Sequence, residues 1–313
     1  PSTRKASFNL LIIMSTSKTI LYFGNERLVS GLKTTQAPIL RALIDAGYTI
    51  AAVVSHHSDG QSRSNRTLEV ADIAAEHGIP VLTPDRPQDI SDQLASYGAD
   101  AAVLVAYGRI IPQSVIDLFP GGIINVHPSL LPKYRGPTPI ESAILNGDTH
   151  TGVSIMRLTA GMDEGPVYAQ KTVDLHGTET KFDLYDTLVQ TSADLLISTL
   201  PTVLDGQLRA AEQDSSQATY SKLFTKDDAL LQPKTMTAAQ AERKVRAHLS
   251  FPKTKYTVIG HDIIITKAHV TSEQKTPLDI VCQDGAFLSV DELIAPSGRL
   301  MSGDAFLNGY AAG

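Results

Sequence analysis

Tryptophan is absent from these 313 residues, and one cysteine, Cys282, stands alone. A single thiol excludes an internal disulfide and any metal site built on several cysteines. It suits a reducing compartment, so a cytoplasmic setting and no metal are expected. The missing indole removes the commonest anchor for stacking and interfaces. No apolar run reaches the roughly 20 residues that a membrane-spanning helix needs, so no membrane partner is expected. An excess of positive charge is lacking too. The net charge of -6 argues against wholesale coating of nucleic acid, while leaving room for a local basic patch. What is present is material for a packed interior: 42% hydrophobic residues against 19% charged, which excludes general disorder. The length allows one large domain or two ordinary ones.

Residues 1–13 precede Met14. Arg4 and Lys5 stand ahead of an apolar stretch too short for a signal peptide, and no cleavage site follows. They read as a loosely ordered upstream extension, with Met14 as the natural start. Beyond them, short apolar runs alternate with stretches of helical period. Strands are expected at 19–23, 49–54, 80–82, 101–105 and 123–126. Helices are expected at 37–46, 67–77, 90–97 and 112–118, with Pro112 early in the last, where its missing N–H costs nothing. Strands this apolar belong to a parallel sheet covered on both faces, an α/β arrangement. The pattern then changes. Two neighbouring strands, 153–158 and 167–173, flank a Gly-rich loop, and a long helix spans 182–204, kinked by Pro201. A polar stretch over 207–218 suits a linker. After Tyr220 come one helix, 238–248, and short strands at 256–259, 262–267, 278–281 and 286–290, which suggest a small barrel. The expected division is 14–206, a linker over 207–218, and 219–313.

In open parallel sheets the ligand crevice lies outside the carboxyl ends of the strands. One strand ends in Ala106-Tyr107-Gly108-Arg109. Another hands over directly to His127, with Asn125 two residues earlier and on the same side. Asn125 can donate an amide N–H to a carbonyl oxygen. His127 can move a proton near neutral pH or, when protonated, stabilise an oxyanion. Asp163, between Gly161 and Gly165, can hold the imidazole and favour its charged form. Each residue has a plainer explanation: a structural histidine, a loop amide, a hairpin turn. Their joint occurrence at that end of a parallel sheet points to acyl transfer onto an amine.

The run Asn125-Val126-His127-Pro128-Ser129-Leu130-Leu131-Pro132-Lys133-Tyr134-Arg135-Gly136, with the later Gly161-Met162-Asp163-Glu164-Gly165, resembles the signature of the folate-dependent formyltransferases. Ala106-Tyr107-Gly108, Gly152-Val153-Ser154-Ile155-Met156, Tyr220-Ser221-Lys222-Leu223 and the run from Ala238 to Ala247 extend the likeness. It reaches from about residue 18 to 310 and is strongest to the branch acting on methionyl-tRNA. The resemblance implies a Rossmann-like N-terminal domain and a C-terminal barrel like an OB-fold. It implies formyl transfer from 10-formyltetrahydrofolate to the amine of methionyl initiator tRNA, in support of translation initiation, by a monomer. It makes Asn125, His127 and Asp163 the catalytic trio. It assigns Ser129, Leu130, Leu131 and Pro132 to tetrahydrofolate, with Ala106, Tyr107, Gly108 and Ile110 in the pterin pocket.

The chain also departs from the family pattern. Gly24-Asn25-Glu26-Arg27 stands where Gly-Thr-Pro is usual, and Ser250-Phe251-Pro252 where Pro-Trp-Pro is frequent. The loop over 55–66 carries only Arg63 and Arg66, with His56 and His57, in place of a longer basic loop. Arg63, Arg66, Lys133 and Arg135 are the expected tRNA contacts, joined by Lys244, Arg246, Lys253 and Lys255 if they face the crevice. Two rivals remain open at this point: a formyltransferase acting on an amino-sugar nucleotide or other small amine, and a non-catalytic folate- or RNA-binding protein.

Overall fold

The computed structural model describes residues 18–56 and 68–310. The leader and the loop residues His57, Arg63 and Arg66 lie outside the described residues. The first part contains β1 (Thr19–Gly24), α1 (Pro38–Asp45), β2 (Thr49–Val54), α2 (Glu69–Glu76), β3 (Val81–Leu82), α3 (Ser91–Ser96), β4 (Ala101–Val105), α4 (Gln113–Ile116), β5 (Ile123–His127), α5 (Pro139–Asn146), β6 (His150–Arg157), β7 (Val167–Asp174) and α6 (Lys181–Leu204). The seven strands stand in the order β3-β2-β1-β4-β5-β6-β7. The first five run parallel. The last two are antiparallel, a hairpin closed by the Asp163 loop.

Both faces of this Rossmann-like sheet are covered, which explains its unbroken apolar strands. Along β1, Ile20 and Tyr22 pack with α1 and α6, while Leu21 and Phe23 pack with Val115 and Phe119 on the other face. Gly24 ends β1 where a Cβ would meet the Val105 carbonyl at 1.9 Å, so only glycine lets the chain cross the end of β4 there. The unusual Glu26 follows, fully buried. Its carboxylate accepts from the N–H groups of Ile39 and Leu40 at 3.0 and 2.7 Å, and from the Tyr22 hydroxyl at 2.7 Å. It satisfies donors at the N-terminus of α1 that have no partner inside the helix. Burial pushes its carboxyl up to about 6 despite these bonds.

Several boundaries differ from the sequence expectation. Pro112 is the residue before α4 rather than inside it. The α3 region opens with a 3-10 turn over Pro87–Ile90. The helix α5 was not anticipated; it starts with Pro139 at its first position, and Thr138 precedes it. The α6 helix begins at a capping box between Thr180 and Asp183 and continues through Pro201 to Leu204.

The second part contains α7 (Ala238–Ala247), β8 (Thr254–Val258), β9 (His261–Thr271), β10 (Asp279–Val281), β11 (Phe287–Ile294), β12 (Leu300–Ser302) and α8 (Gly303–Tyr310). Its strands form an antiparallel, curled sheet in the order β10-β11-β9-β8, with β12 on β11. It has its own core around Val245, Ile263, Leu288 and Phe306. The sequence reading missed β12 and α8, the latter supplying Phe306 and Tyr310, stacked at 4.7 Å. The seam between the two parts is polar. Arg243 donates to the Leu145 carbonyl at 3.1 Å. The buried Lys181 ammonium donates to the carbonyls of Ser30 and Phe251 at 2.5 and 2.8 Å, so one side chain ties α6 to both parts. Among the described residues no helix is long and apolar enough to cross a membrane.

Candidate active site

The strand β5 lies between β4 and β6, where parallel pairing gives way to antiparallel. It extends one residue beyond the expected end, so His127 is a strand residue, paired with Ser154. The two-residue repeat then puts the Asn125 and His127 side chains on one side. The Asp163 loop meets them. Asn125 Nδ2 donates to Asp163 Oδ1 at 3.3 Å. His127 Nδ1 stands 3.6 Å from Asp163 Oδ2. The three groups expected from sequence are therefore gathered at one point outside the carboxyl ends of the strands.

The ring orientation of His127 is fixed from behind. Its Nε2 lies 2.9 Å from the Tyr134 carbonyl, which only accepts, so Nε2 carries the hydrogen. The nitrogen left for chemistry is Nδ1, facing the Asp163 carboxylate. Asp163 Oδ2 also accepts from the Gly136 N–H at 2.8 Å. An amide nitrogen carries two hydrogens. Asn125 spends one on Asp163 and keeps one for an oxygen in the crevice.

Three residues of the site carry backbone strain. Ala106, Tyr134 and Asp163 adopt left-handed φ of 49°, 57° and 49°. Such residues cost on the order of 1–3 kcal/mol each and persist only where surroundings hold them. The holding contacts come largely from the stretch expected to be a linker, 207–218, and from Thr219 just beyond it. Ala211 pairs with Val167 of β7. The Tyr134 N–H donates to Thr219 Oγ1 at 2.8 Å, and the Arg135 N–H to the Thr219 carbonyl at 2.9 Å. Gln213 Nε2 donates to the carbonyls of Asp163 and Gly165 at 2.8 and 2.7 Å. No local pattern in the polar stretch 207–218 distinguishes Gln213 from its neighbours.

The segment Ser129–Pro132 is locked from β6 and β7. Ser154 Oγ donates to the Ser129 carbonyl at 2.6 Å and accepts from the Leu131 N–H at 3.0 Å. Gln170 Nε2 donates to the Leu131 carbonyl and to Ser154 Oγ, each at 2.8 Å. A polar Ser154 in an otherwise apolar strand was the sequence signal for this lock. At Gly152 a Cβ would meet the Lys171 carbonyl at 2.2 Å and Leu130 Cδ2 at 2.6 Å, so Leu130 leans onto a strand that only glycine leaves open.

The loop after β4 has the character of a site for a flat polar heterocycle. Ala106 and Gly108 turn it through positive φ. Among the described residues no backbone–backbone hydrogen bond engages 107–111, so its peptide groups have no backbone partner there. Tyr107 is buried against Phe23, its hydroxyl without a hydrogen-bond partner among the described residues. Ile110 is 85% exposed, an apolar side chain at the rim.

The expected phosphate contacts fare differently. Arg135 is only 1% exposed. Its guanidinium is committed to Gln213, so it cannot double as a surface contact. Lys133 pairs with Asp148 at 2.9 Å but stays half exposed. Lys244 donates to the Leu230 carbonyl, and Arg246 to Glu242 and the Glu179 carbonyl. Lys253 lines a cavity of about 510 Å³ between the two parts, with Lys33. Lys255 is exposed on β8. Among the described residues no group of three or more His, Cys, Asp or Glu could hold a metal ion.

Comparison with known proteins agrees with this geometry. Residues 27–200 match the family described as formyl transferase. A methionyl-tRNA formyltransferase of Chloroflexus aggregans is 38% identical over 87% of this chain and 93% of its own. One from Coxiella burnetii is 33% identical over 90% of this chain and 94% of its own. The structure of an N-formyltransferase from Helicobacter canadensis, in complex with folinic acid and dTDP-3-aminofucose, superposes with a TM-score of 0.64 at 17% identity. It covers 88% of this chain and 98% of its own, a likeness of fold. The chain belongs to the formyl transferase family and, within it, to the methionyl-tRNA formyltransferases.

Proposed function

We propose that this site passes the formyl group of 10-formyltetrahydrofolate to the amino group of methionyl initiator tRNA. The observation that carries the reading is the convergence of Asn125, His127 Nδ1 and Asp163 at one point. Bound 10-formyltetrahydrofolate supplies an activated one-carbon carbonyl. The peptide groups of 107–111 and the exposed Ile110 are the groups of this chain that fit its pterin, and Ser129 to Pro132 form the rigid wall beside it. Asn125 offers its second amide hydrogen to the carbonyl oxygen as that oxygen gains charge. His127 handles protons through Nδ1, because Nε2 is tied to Tyr134. Asp163 orients the imidazole and balances its charge when protonated.

The proposed division of labour is a catalytic part over 14–206 and a tRNA-docking part over 219–313. The stretch 207–218 passes beside the site between them. Lys133 at the rim, Lys33 and Lys253 in the seam cavity, and Lys255 are the groups of this chain suited to the phosphates of an acceptor arm. Arg63 and Arg66 remain candidates for the same role. The protein acts as a cytoplasmic monomer. The test is transfer of labelled formyl from 10-formyltetrahydrofolate to charged initiator and elongator tRNA, with deacylated tRNA as competitor. Transfer to the initiator that the competitor suppresses supports the reading. Equal transfer to a free amino sugar, untouched by competitor, overturns the choice of acceptor.

A further inference from the structure

We infer that Gln213 is a positioning residue for the reaction, and that the connector carrying it is a working part of the active site. This rests on the role given to Asp163 above. The Gln213 carboxamide uses both its ends. Its nitrogen bridges the carbonyls of Asp163 and Gly165 at 2.8 and 2.7 Å. Its oxygen accepts from Arg135 Nε and Nη2 at 3.1 and 2.9 Å. Two hydrogens and one oxygen are all that a primary amide offers, and all are engaged.

Each end answers a need. Asp163 sits in the left-handed region at φ 49°, which aspartate tolerates better than most side chains but which is still less favourable than the right-handed well. Its loop has little apolar packing of its own, for Met162 is 61% exposed. Hydrogen bonds must therefore hold the loop, and Gln213 supplies two of them. Arg135 is buried, and its other side-chain partners are neutral hydroxyls: Tyr220 at 3.4 Å and Ser215 at 3.3 Å. The guanidinium polarises the Gln213 oxygen, which strengthens the amide hydrogens aimed at the Asp163 loop. The next residue completes the hold, since the Gly136 N–H binds the Asp163 carboxylate itself. Arg135 and Gly136 thus fix the two ends of Asp163, its carbonyl through Gln213 and its carboxylate directly. The same short segment fixes His127 through the Tyr134 carbonyl. Without Gln213 the Asp163 backbone is free to leave its left-handed well, and the carboxylate swings off the imidazole.

The test uses the full-length protein and two substitutions. Gln213→Glu keeps the length and gives Arg135 a carboxylate, but removes both donors and turns an anion toward the Asp163 and Gly165 carbonyls. Gln213→Met removes both functions at similar size. Both variants are expected to lose at least about tenfold in kcat, about 1.4 kcal/mol of barrier. KM for folate and tRNA should stay within about threefold, and the pH profile of kcat should be displaced. A merely structural glutamine would lower the melting temperature and leave that profile in place. Should one variant fail to fold, the other decides alone. Asp163→Asn separates this inference from the reading beneath it. Native turnover in Asp163→Asn would sink the assigned role of Asp163. Loss of turnover there, with native kcat and pH profile in the Gln213 variants, would overturn the role of Gln213 only.

Discussion

Two buried polar clusters lie in this molecule, one at the carboxyl ends of the parallel strands and one in the seam between the two parts. At the strand ends Asn125, His127, Asp163, Arg135 and Gln213 meet partners at hydrogen-bonding distance, several of them backbone groups. In the seam the matching is incomplete. Glu141 is fully buried, one of its carboxylate oxygens has no partner among the described residues, and Lys181 Nζ is 3.9 Å from the other. Burial pushes the Glu141 carboxyl up and brings the Lys181 ammonium down to about 8. His248 is buried beside Phe224. Desolvation first, then the nearby Lys244 and Lys181 charges, bring it down to about 4. The difference teaches where pH acts. The strand-end groups are held in a defined orientation, as the proposed proton transfer needs, whereas the seam holds groups whose titration is set against the folded state. Activity and stability should answer to different residues.

The largest expected effect tests the catalytic cluster. His127→Ala should lower kcat by about 10²–10³-fold, roughly 3–4 kcal/mol of barrier, with an unchanged far-ultraviolet spectrum. Single-turnover formylation measures it, and a native rate would remove His127 from the mechanism. In the seam, a histidine held at about 4 against an unfolded value of 6.5 contributes stability above pH 6.5. That stability is lost as pH falls through about 4, to about 3 kcal/mol in all. His248→Phe should flatten this acid loss in denaturant titrations run from pH 7 to 4, leaving formylation at pH 7 intact. An unaltered pH dependence would place the acid sensitivity elsewhere.

Glu26 sharpens the comparison because its sign is opposite. Its carboxyl is raised from 4.5 to about 6, so its contribution is complete below pH 4.5 and lost as pH rises through 6. The amount is about 2 kcal/mol. Glu26→Gln should abolish that fall, seen as a smaller stability difference between pH 4.5 and 7 than in the native protein. The smallest effect belongs to the segment 129–132, the proposed folate wall. Ser154→Ala removes a hydroxyl serving Ser129, Leu131 and Gln170, and should cost about 1–2 kcal/mol of stability. It should raise KM for 10-formyltetrahydrofolate more than KM for tRNA. A rise confined to tRNA would remove the segment 129–132 from folate binding.

Much of the parallel sheet was visible in the chain because strands buried on both faces must be apolar throughout, as Ile20 to Phe23 and Ala101 to Val105 are. Asn125 and His127 were visible for a related reason: spacing along a strand fixes which side chains share a side. Asp163 could be singled out by its flanking glycines and by resemblance, yet nothing local says which strand end its loop reaches. The helix α5 was hidden because its first turn follows a Pro- and Gly-rich run that reads as loop. Gln213 was hidden for a deeper reason. It lies 50 residues from Asp163 and 78 from Arg135, in a stretch whose polarity matches that of an ordinary tether.

The amino-acid order thus settled the sheet, the spacing of amide and imidazole, and the family, since each follows from periodicity or from a contiguous motif. Only the folded chain decided that Nδ1 of His127 faces the carboxylate, that Arg135 is buried against Gln213, and that the connector holds the Asp163 loop. Those facts depend on hydrogen bonds between distant segments, whose partners are chosen by how the sheets and helices pack.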